Sequence, residues 1–326
     1  MIRVKIIATG GTIAGVGKSG NTGYQAGALG INDLLKKVPG IKNYAAITQE
    51  DFCRIDSKDL TAEILLGLSR RVQEIFRQNA ADAIVITHGT DTLEETAYFL
   101  HLTIRDSRPI VLTGAMRPAT ALSADGEANL LNAVRVAAHP DSMGRGVLVT
   151  LNEKIDSARD VTKTNTLAVE AFRSPGMGSL GCVLAGNVAY YRRSTRAHTI
   201  DSEFNLEAVK TLPKVKIIYG AACDDSLFVE AALAAKVPGL VYAGMGNGSV
   251  PQEMEKALAE AARQGCVVVR SSRVGNGAVT CAEESYRRHN FVEGDTLTPQ
   301  KARILLQLAL TKTKNPAEIQ KMFWRY

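Results

Sequence analysis

The chain has 326 residues, 45% of them hydrophobic and 22% charged. That is enough to bury a large core over two domains, and it excludes a disordered or low-complexity protein. The net charge is +6, yet lysine and arginine are scattered, clustering only as pairs such as Lys36-Lys37, Arg70-Arg71 and Arg192-Arg193, with few aromatic residues among them. This argues for a solvated surface and against a nucleic-acid face.

Cys53, Cys182, Cys223, Cys266 and Cys281 are far apart and show no disulfide framework or zinc-ligand spacing, so buried thiols are expected. No run approaches transmembrane length, and no membrane association is expected. Residues 1–5 lack the apolar core of a secretory signal, so the chain is expected to be cytoplasmic if Met1 is native and periplasmic if it is a mature chain.

In chain order, residues 2–9 read as an apolar strand running into residues 10–24, which carry six glycines and are expected to be mobile. A short helix over 33–38 stops at Pro39, a mixed strand reaches Ile55, and 60–78 is amphipathic through Ile64, Leu65, Leu68, Val72, Ile75 and Phe76. The β-branched run 84–86 stops in Thr87-His88-Gly89-Thr90-Asp91-Thr92. There a helix begins, with Asp91 or Thr92 as its N-cap and Leu93, Ala97, Leu100 and Ile104 on one side. A strand over 109–113 ends in Gly114-Ala115-Met116-Arg117-Pro118 and is followed by a helix through Leu130, Leu131, Val134 and Ala138. A strand over 147–151 then leads into a polar segment, 156–166.

Three strands thus end in Thr plus a glycine turn, at Thr9-Gly10, Thr87-His88-Gly89 and Thr113-Gly114. A parallel sheet with its carboxyl ends along one edge explains the repetition. Residues 192–212 lose periodicity and read as a linker. Beyond them the alternation restarts, with strands at 215–219, 240–243 and 267–270, helices near 228–236 and 251–263, and a final helical pair from 299. The expected architecture is α/β, with a larger N-terminal domain (1–191), a linker (192–212) and a smaller C-terminal domain (213–326).

Open α/β sheets place ligands at strand carboxyl ends. Gly15-Val16-Gly17-Lys18-Ser19-Gly20 has the spacing of a dinucleotide fingerprint, and Gly17-Lys18-Ser19 resembles the end of a phosphate-binding loop. Both motifs should open directly into a helix, whereas residues 21–27 here continue a loop. A hydrolase reading needs a nucleophile, a proton acceptor and polar anchors. Thr12, just past a strand end and flanked by glycines, is the candidate nucleophile. His88, His101, His139, His198 and His289 share no nucleophile motif, so a lysine held near a carboxylate, or a tyrosine, must handle the proton. Lys163 and Tyr24 are the candidates, Lys163 with Asp91 within its reach.

The run Ala8-Thr9-Gly10-Gly11-Thr12-Ile13-Ala14-Gly15, together with residues 86–95, closely resembles the paired motifs of the bacterial type II L-asparaginases and glutaminase-asparaginases. Gly114-Ala115-Met116-Arg117-Pro118, Asp160-Val161-Thr162-Lys163-Thr164-Asn165 and Arg270-Ser271-Ser272-Arg273-Val274 fit the same family in the same order. The resemblance implies hydrolysis of a side-chain amide to acid and ammonia through an ester on Thr12. Thr90, Asp91 and Lys163 would form one catalytic group, and Thr12, Tyr24 and Glu284 the other.

Family members are usually tetramers of intimate dimers with the site between subunits, so Glu284, next to Glu283, and Ser249 would come from a neighbouring chain. Ser57 would hold the substrate α-carboxylate and Asp91 its α-ammonium, with Gly11, Gly89, Thr90 and Ala115 lining the pocket. No metal or organic cofactor is implied.

Two residues depart from the family pattern. Lys58 stands where Gln or Glu is common, and a lysine has donors only. It therefore crowds the ammonium position, or points away, or shifts the substrate. Ser249 stands where asparagine-selective members often carry Asn, which implies some glutamine turnover. The cysteine pair that bridges some members is absent, with Gln78 and Asp106 near those positions. The expected function is L-asparagine hydrolysis with some glutaminase activity. The alternatives are an amino-acid-binding regulatory module with a degenerate site, a nucleotide-binding protein using Gly15 to Gly20, and a tRNA-amidotransferase-type amidohydrolase, whose partner domain the chain lacks.

Overall fold

Alternating apolar runs and amphipathic helices fold, in a computed structural model describing residues 1–17 and 23–326, into two α/β units, Met1–Glu207 and Ala208–Tyr326. The first unit runs β1 (Arg3–Gly10), the short strands β2 (Val16–Gly17) and β3 (Tyr24–Gln25), α1 (Ile31–Lys36), β4 (Ala46–Ile55), α2 (Ala62–Arg77), β5 (Ala83–Thr87), α3 (Leu93–Thr103), β6 (Ile110–Thr113), α4 (Gly126–Ala138) and β7 (Val147–Leu151). It ends with β8 (Lys154–Ser157), β9 (Thr162–Lys163), β10 (Phe172–Arg173), β11 (Gly181–Leu184) and β12 (Asn187–Tyr190).

Eight strands form one sheet in the order β12-β11-β8-β7-β6-β5-β1-β4. From β4 to β7 neighbouring strands are parallel, and β8, β11 and β12 continue the sheet antiparallel. The polar segment expected at 156–166 thus begins inside a strand, and the β11–β12 hairpin is an element the sequence reading lacks.

Each parallel strand shows alternate side chains to two cores, as period-2 geometry requires. Val4, Ile6, Val85, Val111 and Leu148 pack with α1 and α4, whereas Ile7, Ile84, Ile86, Ile110 and Leu112 pack with α2 and α3. Burying each such side chain contributes about 1.5–3 kcal/mol. Helix α2 starts on the Thr61 side chain, which accepts from the Ile64 N–H at 3.3 Å, and buries Leu65, Leu68, Val72, Ile75 and Phe76.

This layering positions the functional edge. β1 leads into α1 on one face and β5 leads into α3 on the other, so the chain diverges between two neighbouring parallel strands. Such a divergence leaves a crevice at their carboxyl ends, which is where open α/β sheets bind ligands.

Much of the expected linker over 192–212 is packed structure. His198, Thr199, Ser202, Phe204 and Leu206 are buried, and the Ser202 hydroxyl donates to the Leu102 carbonyl. Hydrophobic anchors without periodicity explain why the stretch looked unstructured. Only Cys266 of the five thiols is buried and Cys223 is exposed, so the expectation of uniformly buried cysteines is corrected.

The second unit has a parallel sheet of β13 (Val215–Tyr219), β14 (Gly239–Gly244), β15 (Val267–Ser272) and β16 (Val292–Glu293), in that order. Helices α5 (Leu227–Ala234), α6 (Gln252–Arg263) and α7 (Glu284–Arg288) share a core with it through Val229, Met254, Leu258 and Tyr286, and α8 (Pro299–Ala309) and α9 (Pro316–Arg325) close the chain. Among the described residues no helix is long and apolar enough to cross a membrane.

Candidate active site

The crevice is built from the turns after β1 and β5, and glycine lets them touch. Gly11 has φ 79°, and a Cβ there would lie 2.3 Å from the Gly89 Cα. A Cβ on Gly89 would lie 2.5 Å from the Ser57 Oγ. The Gly11 and Gly89 backbones therefore meet directly, with the Ser57 side chain packed on Gly89, which no side chain at either glycine would permit. The buried Thr9 hydroxyl donates to the Thr87 carbonyl at 2.9 Å, and the His88 N–H donates to the Thr113 carbonyl at 2.8 Å, so the strand ends are knitted as well.

Thr12 opens a single 3-10 turn, Thr12–Ala14, and is 92% shielded, with 8% of its surface exposed. Its Oγ1 lies 2.8 Å from the Tyr24 hydroxyl, whose ring packs against Gly15. The Gly27 N–H returns to the Gly11 carbonyl at 3.0 Å, which ties the strand carrying Tyr24 back to the turn.

On the β5 side, the Lys163 ammonium donates to the Asp91 Oδ1 at 2.7 Å and to the Thr90 Oγ1 at 3.0 Å. Lys163 lies on β9, paired with Phe172 of β10, so its backbone is held while its side chain crosses to the turn. Thr90 is 5% exposed, so its hydroxyl faces a largely dry environment on one side and a charged lysine on the other.

Asp91 spends its carboxylate on Lys163, and Thr92, the N-cap position, makes no side-chain cap; its hydroxyl donates to the Ser57 carbonyl at 2.8 Å. The capping role expected for Asp91 or Thr92 is therefore corrected, because both side chains have long-range partners. Ser57 is 2% exposed, and its Oγ has no hydrogen-bond partner among the described residues. An orphaned buried hydroxyl beside Gly89 suits a ligand that brings its own acceptor.

Lys58 points away. It is exposed and donates to Asp56 at 2.8 Å, and its pKa is raised, first by that hydrogen bond and then by the Asp56 charge. Ala115 is fully buried on the turn after β6. Asp125 accepts from the Met116 and Arg117 N–H groups at 2.9 Å each, and Asn129 donates to the Gly114 carbonyl at 3.0 Å and accepts from the Asn152 N–H at 3.0 Å. The sequence reading passed over both residues, since an Asp or Asn near a helix start is ordinarily a cap.

His88 is fully buried and its pKa is pushed down to about 4, chiefly by desolvation. Its Nδ1 donates to the Gly89 carbonyl at 2.8 Å, and its Nε2 lies 3.0 Å from the Thr96 hydroxyl. It is a neutral brace for the turn, not a base.

The structure thus brings Gly11, Thr12, Tyr24, Ser57, Gly89, Thr90, Asp91, Ala115 and Lys163 into the first unit. Ser249 and Glu284 belong to the second, where both are exposed. Glu283 accepts from the Tyr286 hydroxyl at 3.2 Å and is exposed like Glu284.

Residues 18–22, the end of the Gly15–Gly20 stretch and part of the loop expected to be mobile, lie outside the described residues. The flanking residues pair as antiparallel strands, Val16 with Gln25 and Gly17 with Tyr24. A nucleotide fingerprint needs a helix there. Among the described residues no group of three or more His, Cys, Asp or Glu side chains is placed to hold a metal ion.

Residues 3–196 match the family described as "Asparaginase, N-terminal", and residues 214–323 match the "Glutaminase/Asparaginase C-terminal domain". The chain is 50% identical over 322 residues to a probable periplasmic L-asparaginase of Haemophilus influenzae, covering 98% of this chain and 92% of that protein. It is 46% identical over 330 residues to a glutaminase-asparaginase of Pseudomonas fluorescens, covering 100% and 91% respectively. A crystal structure of a probable cytoplasmic L-asparaginase from Campylobacter jejuni superposes with a TM-score of 0.97 at 44% identity, covering all of both chains.

Proposed function

The chain belongs to the asparaginase and glutaminase-asparaginase family, and from that premise we propose how its residues carry out amide hydrolysis. It is an amidohydrolase that converts L-asparagine to L-aspartate and ammonia. The observation that supports the reading of the site is the contact of Gly11 with Gly89, which joins the turns that carry Thr12 and Thr90, each hydroxyl already hydrogen-bonded to a titratable group.

Thr12 attacks the side-chain amide carbon. Its proton passes to the Tyr24 oxygen as Tyr24 hands its own proton to the departing nitrogen, so the C–N bond breaks, ammonia leaves and an ester on Thr12 remains. A water then attacks the ester. Thr90 takes the water's proton and returns its own to Thr12, while Lys163, anchored by Asp91, holds the Thr90 oxygen in place. The ester C–O bond breaks and aspartate is released.

Ser57 supplies its unpartnered hydroxyl to the α-carboxylate, and Asp91 accepts from the α-ammonium. The enclosing turns of Gly89 and Ala115 restrict the pocket to a small zwitterion. Serine at 249 leaves room for the longer side chain of L-glutamine, which is turned over more slowly. The working assembly is a homotetramer of intimate dimers in which Ser249 and Glu284 complete the site of the neighbouring chain.

Steady-state ammonia release from L-asparagine and L-glutamine, without added metal or nucleotide, tests the reading. Release from asparagine is expected to be the faster. Asparagine binding with no ammonia would overturn the reading in favour of a regulatory module.

A further inference from the structure

The largest fully buried side chain among the described residues has no part in the chemistry above. Arg270, on β15, is 1% exposed. Among the described residues no carboxylate comes within ion-pair distance of it, and desolvation lowers its pKa. A guanidinium in that position needs acceptors of fixed geometry, because an uncompensated buried charge is strongly unfavourable.

Backbone carbonyls provide them. Nε donates to the Gly248 carbonyl at 3.1 Å, and Nη2 donates to the Asn247 carbonyl at 2.9 Å and the Thr280 carbonyl at 3.1 Å. The Tyr286 ring lies beneath the guanidinium at 3.9 Å.

Two separate segments are joined in this way. One is the tight turn in which the Ser249 N–H donates to the Met245 carbonyl at 2.7 Å. The other runs from Thr280 to α7 and carries Glu284. Asn247 adds a second tie, accepting from the Thr280 N–H at 2.8 Å and donating to the Thr280 hydroxyl at 3.1 Å. Tyr286 adds a third, accepting from the Val250 N–H at 3.1 Å through its hydroxyl. Gly248 leaves the clamp no slack, since a Cβ there would lie 2.7 Å from Val279.

We propose that Arg270 is a positioning residue that fixes Ser249 and Glu284 relative to each other as one rigid element, which this chain presents to the active site of a neighbouring subunit. The inference rests on the shared-site reading above. Lysine cannot replace the fork, because one ammonium on a flexible stem does not span three carbonyls.

The test uses the full-length enzyme. Arg270→Lys is expected to lower kcat/KM for asparagine about tenfold or more, mainly through KM. Mixed oligomers made by co-expressing Arg270→Lys chains with Thr12→Ala chains are then expected to regain activity, because pairing creates sites with an intact Thr12 from one chain and an intact clamp from the other. Glu284→Ala mixed with Thr12→Ala is the control for the shared-site reading.

Recovery in both mixtures supports the proposal. Recovery in the control alone overturns it while leaving the shared site standing, and no recovery in either overturns both. Wild-type kcat/KM in Arg270→Lys also overturns it. If Arg270→Lys fails to fold, Asn247→Ala carries the same comparison from the surface, with the same expected defect and the same recovery.

Discussion

Gly11 and Gly89 occupy each other's side-chain space: a Cβ on the first would lie 2.3 Å from the Cα of the second. The φ of 79° at Gly11 adds backbone strain for any other residue, on the order of 1–3 kcal/mol. Gly11→Ala must push the β1 and β5 turns apart. A displacement of that kind, near an ångström, costs about 100-fold in rate. We expect kcat/KM for asparagine to fall by about that factor in folded protein; an unchanged value would separate the glycine contact from the chemistry.

Thr12→Ala removes the proposed nucleophile, and Thr90→Val removes the hydroxyl that Lys163 holds. Each is expected to lower kcat by about three orders of magnitude or more, measured as ammonia release with melting temperature as the fold control. Tyr24→Phe keeps the ring against Gly15 and loses only the hydroxyl, so a drop of about 100-fold in kcat with a small change in KM is expected.

Lys58 is turned toward Asp56 at 2.8 Å, with 65% of its side chain exposed. Lys58→Gln is therefore expected to leave the KM for asparagine within about twofold of wild type. A clearly lower KM would mean that the lysine swings into the ammonium pocket when substrate is present.

His88 links stability to pH. Its pKa of about 4 in the folded chain lies below the ordinary 6.5, so the unfolded chain binds the extra proton first as pH falls. Above about pH 6.5 His88 is neutral in both states and the shift has no effect, whereas as pH drops toward 4 the folded chain is destabilised progressively relative to the unfolded one, by on the order of 3 kcal/mol in all. His88→Gln should be less stable than wild type at pH 7 and show a shallower loss between pH 6.5 and 4.5 by thermal melting. Parallel curves for the two proteins would exclude His88 as a source of the slope.

Asn129 is 3% exposed and bridges the Gly114 carbonyl and the Asn152 N–H. Asn129→Leu leaves both backbone groups unsatisfied, at about 2–4 kcal/mol. The melting temperature should fall, and the KM for asparagine should rise with the loosening of the turn that carries Ala115. A lower melting temperature with wild-type KM would confine Asn129 to stability.

Part of this was legible in the chain itself. Hydrophobic period is a local property, so the parallel strands at 84–86 and 109–113, the amphipathic stretch at 60–78 and the restart after 212 could be read from residues a few positions apart. The recurring Thr-plus-glycine strand ends, with Thr12, Thr90, Asp91 and Lys163 in familiar motifs, marked the candidate edge for the same reason.

What only the folded chain decided were partners far away in sequence. Asp91 chooses Lys163, 72 residues on, over its own helix, and Asn129 of α4 joins the Gly114 carbonyl to the Asn152 N–H. Arg270 is buried against carbonyls when its charge alone would place it at the surface. A local pattern specifies which face of a strand or helix is apolar, but a polar side chain's partner is whichever group the topology leaves within hydrogen-bond reach, and that depends on how the strands are ordered in the sheet.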